Sequence, residues 1–137
     1  MINPISIALS GLAAASKKAE VASNNIVNAD VVGATDPSSS NQAYTPRTTV
    51  SKSLSANGQG SGVQAVVLNR DPAFVPSFSP DSPFADANGL VNAPNVNLDE
   101  ELVNMKVAEN AYKANAQVIK TSAEMQDALR DALDSKH

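Results

Sequence analysis

The sequence has no cysteine and no tryptophan, and its only histidine is the last residue, His137. Without cysteine there can be no disulfide, no thiolate nucleophile and no cysteine-based zinc or iron–sulfur site. A lone terminal histidine, which we expect to lie in a disordered end, leaves no histidine-dependent triad or general base. No other combination of acid, base and nucleophile can be assembled, so we expect no catalytic residue, no cofactor, no metal site and no enzyme activity.

Positive charge is also scarce. Ten Lys and Arg residues stand against 14 Asp and Glu residues, which gives a net charge of −4, and the basic residues form no cluster. A nucleic-acid-binding protein needs a basic stripe that neutralises phosphates. The composition therefore predicts no nucleic-acid partner.

Long apolar runs are missing as well. No segment approaches the roughly 18 apolar residues that a membrane-spanning helix needs. The first residues, Met1–Ile5, lack the basic and apolar regions of a cleaved signal peptide. We therefore expect no direct membrane span and no ordinary secretory export.

Large side chains for a core are few, because only 4% of the residues are aromatic and much of the 42% hydrophobic content is alanine. Burial of apolar area is the main source of folding free energy. A part of the stability of this chain is therefore expected to come from neighbouring subunits.

Composition divides the chain into three regions. Residues 1–30 contain an alanine-rich helical pattern, residues 31–96 form a region rich in Ser, Pro, Asn, Gly and Asp, and residues 97–137 contain a second helical pattern. The predicted fold class is mainly α with a small β and irregular insertion. The two terminal helices are expected to pair as an antiparallel coiled coil, with a small polar β/loop domain at the end away from both termini.

The first helix is predicted to begin with Asn3 as its cap and Pro4 at its first position. Apolar residues recur every seven positions, and small residues fill the alternate positions of this seam. Alanine there favours close approach of another helix, which also explains Gly11 inside the helix. The two sets are Ile5, Leu12, Ala19 and Ile26, and Ala8, Ala15 and Ala22.

The second helix is predicted to begin after Asn97, with Glu100 completing a capping box. The acidic residues Asp99–Glu101 are interpreted as solvated partners of the helix dipole. A seven-residue repeat follows, and a second apolar set lies off this stripe, so contact with more than one neighbour is expected. The alternative is that these single apolar residues are simply exposed. The stripe is Leu98, Leu102, Met105, Tyr112, Ile119, Ala116, Ala123, Met125, Leu129 and Leu133, and the second set is Val103, Val107, Ala111, Ala114 and Val118.

The middle region predicts a β-hairpin, formed by Tyr44–Leu54 and Gly62–Asn69 around a glycine-rich turn at Asn57–Gly62. Repeated prolines over Asp71–Asn95 predict an extended, irregular segment. Within it, residues 86–89 match the middle of a calcium-binding loop, but Phe84 and Asn95 occupy the outer ligand positions. We therefore expect a turn there rather than a metal site.

Two groups of motifs carry a family resemblance. Residues 8–12 (ALSGL) and 23–29 (SNNIVNA) resemble the N-terminal signature of flagellar axial proteins, which include rod, hook and hook-associated proteins. Residues 79–86 (SPDSPFAD), 89–91 (GLV) and 94–105 (PNVNLDEELVNM) are similar to the proximal flagellar rod proteins. Asp30, Leu90 and Asn110 depart from the family pattern.

The resemblance implies a structural subunit of the bacterial flagellar basal-body rod, which transmits torque and conducts exported proteins. Its implied partners are other copies of the chain, other rod proteins, the rod-base adaptor and the flagellar type III export apparatus. The implied location is the periplasmic rod, reached without a cleaved signal peptide. A soluble helical adaptor or export chaperone acting as a dimer is the alternative.

Two sets of residues follow as candidate functional residues. The asparagines among the motif residues are expected to cap or brace turns, because Asn bonds local backbone readily. The predicted assembly interface is Ile5, Leu9, Leu12, Ile26, Leu98, Leu102, Met105, Tyr112, Ile119, Leu129 and Leu133. The family-motif residues are Asn24, Asn25, Asn28, Pro94, Asn95 and Asn97.

Overall fold

The computed structural model of this chain describes residues 4–56 and 58–134. The elements in chain order are α1 (Pro4–Val27), β1 (Arg47–Ala56), β2 (Gln59–Asn69), β3 (Phe74–Phe78), β4 (Leu90–Pro94) and α2 (Leu98–Asp134). Two helices thus enclose two small antiparallel sheets in the sequence, which confirms the coarse prediction of a mainly helical chain with a β insertion. The predicted Asn3 cap and the predicted disordered end at His137 lie outside the described residues.

The buried face of α1 is made of small residues. Ala8, Ala15 and Ala22 are only 2%, 6% and 1% exposed, which confirms the small-residue seam expected from their spacing. Opposite them, Ala108 of α2 is 2% exposed. Because alanine side chains are short, the two helix backbones approach closely along this face.

Facing residues run in opposite order along the two helices. Asn25 of α1 bonds Glu101 near the start of α2. Gly11 faces Asn115, and Ile5 lines a cavity with Leu129. The chain thus turns back on itself between the helices.

The predicted hairpin is present, since β1 and β2 pair antiparallel from Arg47 opposite Asn69 to Ala56 opposite Gln59. Its position differs from the expectation that the middle region lies beyond the end of the helices. The hairpin instead runs back along α1, where the Val63 N–H donates to Ser10 Oγ at 3.0 Å. The small residues on this side of α1 leave room for a strand to lie against the helix.

The expectation of an irregular segment over Asp71–Asn95 was wrong. β3 and β4 pair antiparallel within it, and Val91 of β4 is fully buried. Pro76 is tolerated because β3 is an edge strand, where a missing N–H costs no ladder bond. The predicted turn before β4 is present, with Gly89 at a φ of 74° and Asp86 Oδ1 accepting from the N–H groups of Asn88 and Leu90.

A test of the close helix approach uses Gly11. A Cβ added there would lie 2.5 Å from Asn115 Oδ1. Gly to Ala inside a helix ordinarily stabilises by about 1 kcal/mol, but here the contact should cancel that gain. In an Asn115→Ala background the gain should reappear, so that Gly11→Ala differs between the two backgrounds by about 1 kcal/mol or more in urea unfolding followed by circular dichroism. Equal effects in both backgrounds would contradict the close approach.

Candidate functional site

A buried amide links three segments of the chain. Asn25, which is 0% exposed, donates through Nδ2 to the Arg47 carbonyl at 2.7 Å and to Glu101 Oε1 at 2.9 Å. Its Oδ1 accepts from Tyr44 Oη and from the Arg47 N–H, each at 3.0 Å. A primary amide has two donor hydrogens and an oxygen with two lone pairs. The hydrogen-bonding capacity of Asn25 is therefore filled.

Glu101 joins this amide to Arg70, which follows β2. The Arg70 guanidinium donates to Glu101 Oε1 at 2.8 Å, and it also reaches Glu100 on the exposed side, at 3.3 Å. The Glu101 side chain is 3% exposed, and that of Arg70 is 17% exposed. We call Asn25, Tyr44, Arg47, Arg70 and Glu101 the polar junction.

The polar junction corrects the interpretation of the acidic residues that begin α2. Asp99 and Glu100 are exposed as expected, but Glu101 is 2% exposed. A buried carboxylate needs a charged or hydrogen-bonding partner, and Arg70 and Asn25 supply both. Glu101 is therefore a structural link between the helices and the hairpin, and not a solvated dipole partner.

The junction is fully satisfied. Over residues 4–56 and 58–134, each side-chain nitrogen or oxygen that is buried has a hydrogen-bond partner. Replacing a buried charge pair with apolar residues is often neutral, but removing one partner leaves the other uncompensated and is costly. The junction therefore selects one arrangement of the four segments, since any slip of one helix along the other would break several of its bonds.

The pKa of Tyr44 reflects this environment. Burial raises the pKa of the Tyr44 hydroxyl, the neighbouring Arg47 charge lowers it, and the Glu101 charge raises it, with a net rise. The protonated phenol is the form that donates to Asn25. Deprotonation would remove that hydrogen bond at the centre of the junction.

The other motif asparagines lie at helix ends and in loops. Asn97 Oδ1 accepts from the N–H groups of Asp99 and Glu100 at 3.0 and 3.2 Å, so Asn97 caps α2 as predicted. The expected return bond from Glu100 is replaced by the Arg70 pairing. Asn28 Nδ2 donates to the Asn24 carbonyl, and Asn95 Nδ2 to the Pro72 carbonyl. Asn24 is exposed, and Pro94 is buried at the end of β4.

The predicted assembly residues are not gathered on one surface. Six of the eleven have large exposed fractions, and the other five are half-buried. The exposed set is Leu9 (53%), Leu98 (50%), Leu102 (56%), Tyr112 (48%), Leu129 (61%) and Leu133 (59%). The half-buried set is Ile5, Leu12, Ile26, Met105 and Ile119.

The face that α2 turns toward α1 lies between its two apolar sets. Glu101 and Ala108 are the buried residues of α2, and Asn115 continues this line at the next seven-residue step. The stripe that includes Leu102 lies on one flank, and the set that includes Val103 lies on the other, since each residue advances about 100° around a helix. Both flanks keep exposed apolar side chains, with Leu102 56% and Val103 63% exposed.

The two flanks differ in what covers them. On the hairpin side, Val107 and Ala111 line a cavity with Val63 and Ala65 of β2. On the other side, Met105 and Tyr112 line a groove of about 370 Å³ with three small residues of α1, and no hairpin residue borders it. We call this second cavity the open groove. Its α1 residues are Ala15, Ser16 and Ala19.

Chemistry at other sites finds little support. Residues 4–56 and 58–134 contain no group of three or more His, Cys, Asp or Glu side chains placed to hold a metal ion. In the same part of the chain, neither helix combines the length and the apolar character required to cross a bilayer. Asp86 acts as an intramolecular acceptor that shapes the turn before β4.

Sequence reasoning missed most of the polar junction. Asn25 was singled out by its motif, but Tyr44, Arg70 and the burial of Glu101 were not. One signal was available: Arg70 is one of three basic residues between residues 37 and 70, a stretch without a carboxylate. An arginine at the end of such a segment needs an acidic partner elsewhere, and the start of α2 has three.

Comparison with known proteins places both ends of the chain in the same group. Residues 5–35 match the family model described as flagella basal body rod protein. Residues 87–132 match the model described as flagellar basal body rod FlgEFG protein C-terminal.

Whole-chain relatives agree with these matches. The chain is 38% identical to the flagellar basal-body rod protein FlgC of Salmonella typhimurium, over 91% of this chain and 92% of the relative. It is 36% identical to FlgC of Yersinia enterocolitica, over 89% and 90% of the two chains. It is 30% identical to FlgC of Borreliella burgdorferi, over 91% and 92%.

A test of the polar junction compares two neighbouring asparagines. Asn25→Ala removes four hydrogen bonds and leaves Glu101 without its amide partner, so we expect a loss of about 2–4 kcal/mol in the free energy of unfolding. Asn24→Ala, at an exposed position of the same helix turn, should change it by less than about 1 kcal/mol. Urea unfolding of both variants measures the difference, and similar losses would show that the junction adds nothing specific.

The sequence has two tyrosines, Tyr44 and Tyr112. Replacing Tyr112 with phenylalanine therefore allows the Tyr44 hydroxyl to be titrated alone. In a Tyr112→Phe variant, absorbance at the tyrosinate band should give a midpoint above the ordinary value near 10. Because the folded pKa is raised, the linked stability is present below the unfolded pKa and is lost as pH rises through the folded pKa. Tyr44→Phe should abolish this alkaline loss of stability. A midpoint at or below 10 would contradict the buried geometry of the hydroxyl.

Proposed function

The chain belongs to the FlgC family of flagellar basal-body rod proteins and is a structural subunit of the rod, and we propose that its two terminal helices drive its assembly with neighbouring subunits. Membership associates the chain with the flagellar basal body and its other components. The proposal concerns which surfaces make those contacts.

The observation that carries the proposal is the pair of exposed apolar flanks on α2. α1 covers the face between them, and the hairpin covers only part of one flank, at Val107 and Ala111. Leu102 on one flank is 56% exposed, and on the other Val103 is 63% and Val118 46% exposed. Apolar surface of this extent on two sides of one helix favours contacts with more than one neighbour.

We further propose that α1 and α2 form an antiparallel coiled coil that acts as one unit in the assembly. The seven-residue alanine seam of α1 and the opposite order of facing residues support this pairing. In this view residues 1–30 and 97–137 form the axial domain, and residues 31–96 form a small domain attached to it. The predicted assembly interface then combines side chains of α1 and α2 with side chains of other subunits.

The proposed partners are other copies of this chain, other rod proteins, the rod-base adaptor and the flagellar type III export apparatus. The proposed location is the periplasmic rod, reached by export without a cleaved signal peptide. A structural role in a drive shaft needs adhesion and not chemistry, so we propose that the chain is not an enzyme.

The test places a carboxylate on each flank. Leu102→Glu and Val103→Glu alter exposed side chains, so the purified variants should keep the helical circular dichroism of the parent chain. In a strain that lacks its own copy of the gene, the parent should restore swimming and each variant should restore much less. Gln117→Glu is the matched control, because Gln117 is exposed and polar on the same helix; it should swim. Normal swimming by both flank variants would contradict the proposal.

The alternative, a dimeric adaptor or export chaperone, is separated by truncation. Removing residues 1–30 takes away α1 and should abolish both export and incorporation into the rod. An adaptor could still hold a client through α2 alone. Two results together would favour the alternative. The truncated chain would be recovered with a bound client, and basal bodies could be purified from a strain that lacks the parent chain.

A further inference from the structure

Two cations beside the polar junction have no carboxylate partner. A cavity of about 110 Å³ lies between α1, β1 and the first turns of α2, and Lys18 and Arg47 are among the residues that border it. Within residues 4–56 and 58–134, neither of these two side chains takes part in an ion pair. Lys18 is half-buried and Arg47 is exposed. We call the cavity that Lys18 and Arg47 border the cationic cavity.

The other charged groups of the cationic cavity pair with one another. Arg70 donates to Glu101 at 2.8 Å and to Glu100 at 3.3 Å, so it has no need of a further carboxylate. Three cations and two carboxylates border the cavity in all, and the excess positive charge belongs to Lys18 and Arg47. A charge that is partly withdrawn from water interacts more strongly with an opposite charge than a fully solvated one does. The cavity therefore favours an added carboxylate beside Lys18.

A row of carboxylates near the far end of α2 also lacks partners. Asp127, Asp131 and Asp134 are exposed, and none of them forms an ion pair with another described residue. Because each residue advances about 100° around a helix, the three lie within about 60° of one another. Leu129, which lines a cavity with Ile5 of α1, lies on the opposite side of α2. We call Asp127, Asp131 and Asp134 the acidic face, and it points away from α1.

The position of the acidic face is unfavourable for the helix that carries it. The last turn of α2 contains Asp131 and Asp134 and no basic residue, although the C-terminal end of a helix is partly negative and favours cations. Arg130 precedes this turn and can offset only one of the three carboxylates. Carboxylates that destabilise their own helix and have no partner in their own chain point to a partner outside it.

We propose that the acidic face of one copy docks against the cationic cavity of a second copy, so that one of its carboxylates enters the cavity beside Lys18 and Arg47. The inference rests on the proposed assembly function and specifies one of its contacts. Each surface carries charge that the single chain leaves unpaired, and the contact pairs the two. Opposite charge on the two surfaces favours this orientation over the approach of two like surfaces.

The contact has to form between copies, because the two surfaces lie far apart in one chain. Lys18 borders cavities with residues of α2 from Glu101 to Ala108. Ala108 and Asp131 are about 35 Å apart along α2, at about 1.5 Å per residue. A contact between unlike surfaces leaves one of each kind free on the resulting pair, so further copies can repeat it. The proposed contact therefore suits a growing assembly and not an adaptor that stops at two subunits.

Carbodiimide cross-linking tests the contact on the unaltered chain. The reagent joins a lysine amine to a carboxylate in contact with it, with loss of water, and mass spectrometry of digested basal bodies identifies the joined peptides. We expect an amide between Lys18 and a carboxylate of the acidic face, which the distance within one chain forbids. Lys18→Arg is the matched control, because it keeps the charge and removes the amine. This variant should enter basal bodies normally and lose the cross-link.

Two cross-linking results would overturn the inference. In one, Lys18 is joined mainly to a carboxylate of a different protein. In the other, Lys18 is not joined at all in basal bodies that yield other cross-links of this chain. Both results would leave the proposed function intact, because the chain would be held in the rod by other surfaces. Absence of the chain from basal bodies of the parent strain would instead count against the proposed function.

Charge reversal supplies a second readout. Asp131→Lys should raise the thermal midpoint of the purified chain, because it places a cation at the C-terminal end of α2, and yet it should reduce incorporation into basal bodies several-fold. Adding Lys18→Glu to the same chain should restore most of the incorporation, since each contact then holds a reversed pair. Lys52→Glu replaces Lys18→Glu in the control. Lys52 is exposed on β1 and is not among the residues that border the cationic cavity, so incorporation should stay low.

Circular dichroism of the purified variants checks that each one is folded. If Lys18→Glu lowers the helical signal, Arg47→Glu takes its place, because Arg47 is an exposed residue that borders the same cavity. Full incorporation of Asp131→Lys would overturn the inference. Equal restoration by the cavity variant and by Lys52→Glu would overturn it as well, because the effect would then depend on net charge alone.

Discussion

The hydrogen bonds of the Asn25 amide are the constraint on which the arrangement of the chain depends. They connect the last turn of α1, the segment that enters β1 and the first turn of α2 at one buried point. Arg70 adds the end of β2 through Glu101. Apolar packing alone could not choose this arrangement, because alanine seams permit several registers with similar buried area. The four hydrogen bonds of the Asn25 amide are directional, so they distinguish one register of the helices from the others.

The helix pair and the hairpin then follow from side-chain size. Alanine and glycine on α1 allow α2 to approach on one face and a strand to lie on the next. Close approach by small residues buries little apolar area per residue, and this chain has few aromatic side chains to make up the difference. Much of its remaining apolar surface is exposed on the flanks of α2 and on the hairpin, at Val50, Leu54, Val66 and Leu68. Intramolecular packing thus uses one set of residues in each element, and the proposed assembly surfaces consist of others.

Periodicity and capping signals predicted the elements that depend on local sequence. The helix starting after Asn97, the alanine seam and the hairpin all have short-range signals, and all are present. The sheet of β3 and β4 was missed because prolines argued against strands, whereas an edge strand accommodates them. The position of the hairpin and the burial of Glu101 depend on contacts between residues distant in sequence, and no local pattern encodes them. For the same reason, the motif pointed to Asn25 without indicating its four partners.

The polar junction also makes the two ends of the helix pair unequal. At one end, Asn25 and Glu101 hold α1 to α2 through directional bonds, and at the other end the facing residues are apolar ones such as Ile5 and Leu129. Sliding of α1 along α2 would have to break the Asn25–Glu101 hydrogen bond. The junction end is therefore a fixed reference point, and the position of each facing pair further along the two helices is counted from it.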